Sequence, residues 1–285
     1  MSKIIAIDVS KQTLDVAYLT EEKWQHFTTT NDMKGFKKIA NLAESDDWYV
    51  MEASGPYYLP LATYLNNQSL NVSVVNPLVI KRFSQMKLYR AKTDKKDAKT
   101  IAEYGYNNKL VNWKKPEGCI IELQQLLTAI ELQHKQLSQS NRQLEAFTSS
   151  GELSKELSKH MKSMINGHKK MIAKLEERLK ELANKHYKST LECLQSIPGI
   201  GIKTAIQLTI LTNNFKKFEN YKQLTAYVGL SPRIYQSGTS VRGKGHICKM
   251  GNSQVRKLLY MCSWTAKKCN SCLLYTSPSP RDDIS

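Results

Sequence analysis

The chain has 285 residues, and its 42 Lys and Arg against 25 Asp and Glu give a formal net charge of +17. Such a surplus points to a polyanionic partner, nucleic acid before a membrane surface, and the length suffices for two domains. No apolar run reaches the roughly 18 residues a spanning helix needs, so no membrane span is expected. The opening MSKIIAIDVS lacks a long apolar core and a small-residue cleavage site, which predicts no secretory signal. The six scattered cysteines suit reduced thiols in a cytosol better than a zinc module.

Lys3 to Val9 (KIIAIDV) is a short apolar run that carries Asp8. Leu14 to Leu19 and Lys23 to Thr29 follow after polar turns, so the first three runs read as a strand meander. Met33 to Ala43 has helical apolar spacing. Trp48 to Met51 (WYVM) reads as a strand with Glu52 immediately after it, and Gly55-Pro56 breaks the chain before a helix over Tyr57–Leu65. Asn71 to Val75 is a further strand, and helices are predicted at Leu78–Met86 and Asp94–Asn107. Strands first, then strands alternating with helices, predict an α/β domain with a mixed sheet.

Tyr89 to Tyr104 reads YRAKTDKKDAKTIAEY, and between Asn76 and Lys115 eleven Lys and Arg face only three acids. Lys92, Lys95 and Lys96 make this region a candidate for phosphate contact. Asp94 and Asp97 are three apart, which on a helix puts both on one face. Taken alone they fit either a solvated helix with weak Lys–Asp pairs or half of a hard-cation site. Asp8 and Glu52, each at the end of a strand, favour the second reading, because ligands of open α/β sheets collect at the carboxyl ends of strands. A set of carboxylates suits Mg²⁺ or Mn²⁺ rather than Zn²⁺, and two such ions would clamp both oxygens of a phosphodiester exchange.

The motifs AIDVSK (Ala6–Lys11), MEASGPY (Met51–Tyr57) and AKTDKKDA (Ala91–Ala98) together resemble the N-terminal domain of DEDD transposases of the IS-one-ten insertion-sequence family, relatives of the Piv DNA invertase. The resemblance covers essentially residues 1–271. It implies a RuvC-like, RNase H-like fold whose four metal-binding catalytic acids correspond to Asp8, Glu52, Asp94 and Asp97. It also implies bacterial or archaeal, nucleoid-associated DNA as the place of action, and guidance by a noncoding RNA from the element itself.

Cys119 to Ala146 reads as a long helix, with Leu123, Ile130, Leu137 and Leu144 recurring every seven residues. After a break at Thr148–Gly151, Leu157, Met161, Met164, His168, Met171, Leu175 and Leu182 follow the 4,3 spacing of a coiled-coil seam. Two helices packing within one chain and pairing between chains are both open on the spacing. The resemblance implies an oligomerising coiled coil, so a homodimer or homotetramer.

Leu194 to Leu208 (LQSIPGIGIKTAIQL) has the pattern of a helix-hairpin-helix, whose Gly199, Gly201 and Lys203 are candidates for backbone phosphate contact. Tyr221–Val228 reads as a helix. Pro232 to Gly251 (PRIYQSGTSVRGKGHICKMG) is rich in glycine, hydroxyls and cations. It fits neither a Walker loop nor a G-x-S-x-G elbow, and on its residues it is a basic hairpin that touches phosphates. The resemblance implies that it is the family's C-terminal transposase segment, with Ser237 as the serine that attacks DNA and Ser240 as the alternative. A serine needs activation, and Arg233, Arg242, Lys244 and Lys249 are candidates to neutralise the scissile phosphate. Asn252–Lys268 reads as a basic helix.

Cys272 to Asp282 (CLLYTSPSPRD) can be back-translated in frame to the adapter of transposon-based sequencing libraries. The expectation is that natural sequence ends by Ser271, so residues 272–285 take no part in the fold reading. The expected organisation is a RuvC-like domain over 1–115, a helical coiled-coil region over 116–190 and a mainly α, serine-bearing domain over 191–271. The expected activity is transesterification of DNA with Mg²⁺ or Mn²⁺. The competing readings are a junction nuclease that uses the same acids and water, and an architectural nucleic-acid binder.

Overall fold

The computed structural model describes residues 2–44, 46–89, 93–233, 236–237, 241–242 and 246–270. Two compact units divide it, Met1–Lys115 and Pro116–Ser285. No described helix is long and apolar enough to cross a membrane.

The first unit is a mixed α/β domain around one five-stranded sheet. Its strands are β1 (Ile4–Val9), β2 (Thr13–Thr20), β3 (Lys23–Thr30), β4 (Trp48–Glu52) and β5 (Asn71–Val75). The spatial order is β3-β2-β1-β4-β5. β2 runs antiparallel to β1 and β3, and β4 runs parallel to both β1 and β5. β1 is central and apolar on both faces, as a doubly covered strand must be.

Strand alternation sorts the two faces. Ile5, Ile7 and Val9 join Tyr49, Met51 and Val72 against Phe36 and Ile39 of α1 (Met33–Ala40) and Leu61 and Leu65 of α2 (Leu59–Asn67). Ile4, Ala6 and Val50 face the other way, against Ile80 of α3 (Pro77–Met86) and Ile101 and Ala102 of α4 (Asp94–Asn107). α1 starts where Asp32 accepts hydrogen bonds from the backbone N–H of Lys34 and Gly35 at 3.0 and 2.9 Å. α4 starts where Thr93 caps Lys96 N–H at 3.3 Å.

Gly105 sets how closely α4 lies on the sheet. A β-carbon there would sit 2.7 Å from Ile4 Cγ2 and 3.2 Å from Val50 Cγ2. Those atoms belong to stiff β-branched side chains of the two central strands, which cannot swing away.

The second unit is helical apart from short ladders. α5 (Gly118–Ser149) and α6 (Lys155–Gln195) form a hairpin. The pairs Arg178–Glu122 at 3.2 Å and His168–Gln133 at 2.8 Å make the helices antiparallel within one chain. The face of α6 turned to α5 differs in part from the expected seam. Ile165 and Ile172 are 6 % and 8 % exposed, whereas Met164 and Met171 are 45 % and 47 % exposed. Leu175 and Leu182 serve the packing as expected, joined by Leu179. The apolar stripe of α6 is wider than one seam, and the hairpin uses the edge one residue further along.

The core of this unit continues from the base of the hairpin into α7 (Ile202–Leu211), α8 (Tyr221–Val228) and α9 (Ser253–Cys269), through Leu191, Leu194, Ile206, Val228 and Val255. Between α8 and α9 lie two ladders. β6 (Pro232–Arg233) pairs with β9 (His246–Ile247), and β7 (Gln236–Ser237) pairs with β8 (Val241–Arg242), both antiparallel.

Filling the Gly105 contact should lift α4 from the sheet. Gly105→Val is expected to cost about 1–3 kcal/mol through overpacking, read as a lower midpoint in urea. If midpoint and slope match the wild type, α4 does not bear on Ile4 and Val50 as described.

Candidate functional site

Asp8 shares strand parity with Ile4 and Ala6, and Glu52 shares it with Val50, so both carboxylates belong to the face that α4 covers. On α4 the buried positions Ala98, Ile101, Ala102 and Gly105 form one stripe. Asp94 and Asp97 continue that stripe by one turn at the helix N-terminus, where the backbone dipole favours negative charge. One helix face therefore does two jobs. Its apolar part seats on β1 and β4, and its first turn carries two acids to the end of those strands.

A ligand oxygen from each of Asp8, Asp94 and Asp97 lies within 4.8 Å of the others. Glu52 is not one of this trio, although its charge acts on Asp8. The carboxyl of Asp8 is raised from 3.8 to about 6, first by burial and then by the negative charges of Asp97, Glu52, Asp94 and Asp15. Oxygen-only donors this close, with charges that oppose one another's ionisation, fit a hard divalent cation, which would neutralise the repulsion.

Asp15 was absent from the sequence reading of this site. It lies opposite Asp8 in the β1–β2 register and is 8 % exposed. Its Oδ1 accepts from Thr28 Oγ1 at 2.7 Å and lies 3.1 Å from His26 Nε2. The available signal was an acid within the apolar run LDVAYL. A buried carboxylate needs partners, and β3 supplies them from neighbouring residues of the meander.

Of the expected phosphate-contact residues, Lys95 and Lys96 are exposed on the first turn of α4, and Lys92 lies outside the described residues. In the second unit Gly201 caps α7 with open space where a side chain would be, but Gly199 is used for packing. Its φ is +94°, and a β-carbon on it would meet Cys262 O of α9 at 2.4 Å. Lys203 is held by Glu176 at 2.6 Å. Arg233 and Lys249 are exposed. The Ser237 backbone pairs with Val241 in the β7–β8 ladder, and Gln236 pairs with Arg242. The side chains of Ser237 and Arg242, together with Ser240 and Lys244, lie outside the described residues.

Comparison with known proteins gives two family matches. A model for the DEDD transposase of IS110 matches residues 5–150, and one for the transposase IS116/IS110/IS902 family matches residues 191–275. The pilin gene-inverting protein of Moraxella lacunata is 31 % identical over 272 residues, 92 % of this chain and 82 % of that protein. The transposase for insertion sequence element IS1111A of Coxiella burnetii is 38 % identical over 90 residues, 31 % of this chain and 23 % of that protein. Among solved structures, T. thermophilus RuvC in complex with a Holliday junction substrate aligns with 40 % of this chain and all of that one. The identity is 9 % and the TM-score 0.31, too distant a likeness to bear on the fold.

The raised Asp8 carboxyl has a pH signature. The unfolded chain ionises near 3.8 and the folded one near 6, so without a cation this group's contribution to stability falls as pH rises through that window. With chelator at about pH 7.5, Asp8→Asn should therefore melt higher than the wild type. Added Mg²⁺ should raise the wild-type melting temperature and leave Asp8→Asn nearly unmoved. Equal Mg²⁺ responses in the two proteins would mean that the cation does not sit at Asp8.

Proposed function

This chain belongs to the IS110 family of DEDD transposases, and from that premise we propose that it cuts and rejoins DNA at a divalent-cation site formed by Asp8, Glu52, Asp94 and Asp97. The observation that carries this reading is the convergence of Asp8, Asp94 and Asp97 within 4.8 Å at the sheet end. The sheet order β3-β2-β1-β4-β5 supports an RNase H-like assignment for the domain that holds them.

A bound Mg²⁺ or Mn²⁺ would stabilise charge on the oxygens of the phosphodiester under attack. The chain's own residues do the rest. Asp8 and Glu52 are fixed by the two central strands, Asp94 and Asp97 by the seated first turn of α4, so the donors are held in advance of substrate. Lys95 and Lys96, exposed beside them, would draw the DNA backbone toward carboxylates that would otherwise repel it.

The nucleophile in this reading is Ser237, with Ser240 as the alternative. Its hydroxyl loses a proton and forms a phosphoserine ester as one phosphodiester bond breaks, and a deoxyribose hydroxyl leaves with a proton. A hydroxyl of the second DNA site then attacks the phosphoserine, releases the serine and rejoins the strand. One ester bond forms for each that breaks, so no external energy source is needed. Arg233, Arg242, Lys244 and Lys249 would balance charge on the phosphate, and backbone N–H groups at Gly201 would hold a neighbouring one. Activity in this reading would depend on assembly of two or four protomers. Recognition of the DNA sequence would fall to base pairing with an RNA from the element.

Labelled element-end DNA incubated with protein and Mg²⁺ should give a covalent adduct on a denaturing gel. The adduct should disappear in Ser237→Ala and survive in Ser240→Ala, and Asp97→Asn should lower cleavage by at least about 100-fold. Cleavage without an adduct, persisting in both serine variants, would replace this mechanism with attack by water. Full activity of Asp97→Asn would make the acids structural. Protein purified with the element's transcripts should carry one enriched RNA, and no enrichment would remove the guided reading.

A further inference from the structure

α6 is electrostatically divided along its length. From Lys155 to Lys174 it carries six lysines and one glutamate, whereas from Leu175 to Gln195 four Lys and Arg balance four glutamates. The balanced part is tied down by Glu122–Arg178 at 3.2 Å and Glu176–Lys203 at 2.6 Å. In the distal part the one ion pair among the described residues is Glu156–His160 at 3.9 Å.

The unbalanced part coincides with a concave surface. Where α5 and α6 part near the hairpin turn they leave a cleft of about 1260 Å³, whose lining includes Lys155, Lys159, Lys162, Lys170, Ser158 and Asn166 and no acid. Glu145, Glu152 and Glu156, the acids nearest in sequence, do not line it. Four unpaired cations with hydroxyl and amide donors between them make a surface for an extended polyanion.

The spacing favours a duplex. Lys155, Lys159 and Lys162 occupy one helix face and advance about 6 and 4.5 Å along the axis, a continuous row of positive charge for a phosphate backbone to follow. Lys170 lies about 12 Å further on the same face, close to the width of a B-DNA major groove.

We propose that the tip of the α5–α6 hairpin is a second DNA-binding surface, which grips the phosphate backbone of duplex DNA through Lys155, Lys159, Lys162 and Lys170. It is separate from the acid cluster and from the glycine-rich ladders, and it reads no sequence. Its part is to hold flanking DNA while chemistry proceeds elsewhere.

The test is fluorescence anisotropy of the full chain on a duplex of about 30 base pairs of arbitrary sequence, measured over a range of salt. Replacing all four lysines by Gln should reduce the slope of log affinity against log salt by about 2–4, since each phosphate contact contributes about 0.9. Glutamine keeps the helix-forming tendency at these exposed positions. The double variant Lys159→Gln/Lys162→Gln should lose about half as much and guards against misfolding of the quadruple one. Replacing Lys180, Lys185 and Lys188 instead should leave the slope nearly unchanged. A wild-type slope in both cleft variants would overturn the proposal, and so would an equal loss in the Lys180, Lys185 and Lys188 variant. Lost affinity for RNA of equal length with DNA binding intact would overturn the assignment to DNA. Because binding alone is read, the outcome does not depend on the cleavage mechanism.

Discussion

The close seating of α4 on β1 and β4 is the contact on which the candidate site depends. Two carboxylates on a helix turn carry little meaning if that turn is free to move. Here Ile101, Ala102 and Gly105 lock the helix against Ile4, Ala6 and Val50, and the first turn has to lie over the ends of the strands that hold Asp8 and Glu52. The apolar burial opposes a real cost. The acids repel one another and part of their surface is withdrawn from water, which is what raises the Asp8 carboxyl. A protein selected for stability alone would not gather them. Acids gathered at a rigid sheet end in this way are a pattern that functional sites favour.

The second unit answers a different demand. Its hairpin is nearly all helix, yet only its base shares a core with α7, α8 and α9. The distal half has given up acid balance, and near the turn, beyond the packed Ile165 and Ile172, the two helices leave a cleft. The lysines that line the cleft point to the charge of a ligand it would hold. The family relationship to DNA transposases and the excess of +17 suit a polyanionic ligand for such a surface.

Much of the first unit was legible in the sequence. The strand and helix order follow from apolar runs and turn residues, and Asp8, Glu52, Asp94 and Asp97 stand out as a combination, two acids at strand ends and two on one helix face inside a basic stretch. Asp15 was not legible, because its nearness to Asp8 depends on the hairpin register, and its burial depends on partners from β3. In the hairpin two apolar stripes overlap on α6. The 4,3 spacing selects the stripe through Met164 and Met171 and misses the one through Ile165 and Ile172, which does the packing. Gly199 was read for approach to phosphate because glycine allows it, but the backbone that approaches is that of α9. Lys203 is a candidate for phosphate contact on the sequence, and the glutamate that holds it lies 27 residues away. Local pattern finds what a residue permits. Which permission is used is decided by tertiary neighbours.

The most direct test of the central claim is the position of a bound cation. Crystals of the protein soaked in Mn²⁺ would be measured for anomalous scattering. The account predicts a peak about 2.1–2.2 Å from carboxylate oxygens of Asp8 and of Asp94 or Asp97, with Glu52 facing it directly or through water. A peak elsewhere on the chain, with those carboxylates unliganded while Mn²⁺ still supports DNA cleavage in solution, would contradict the claim that this sheet end is the metal centre.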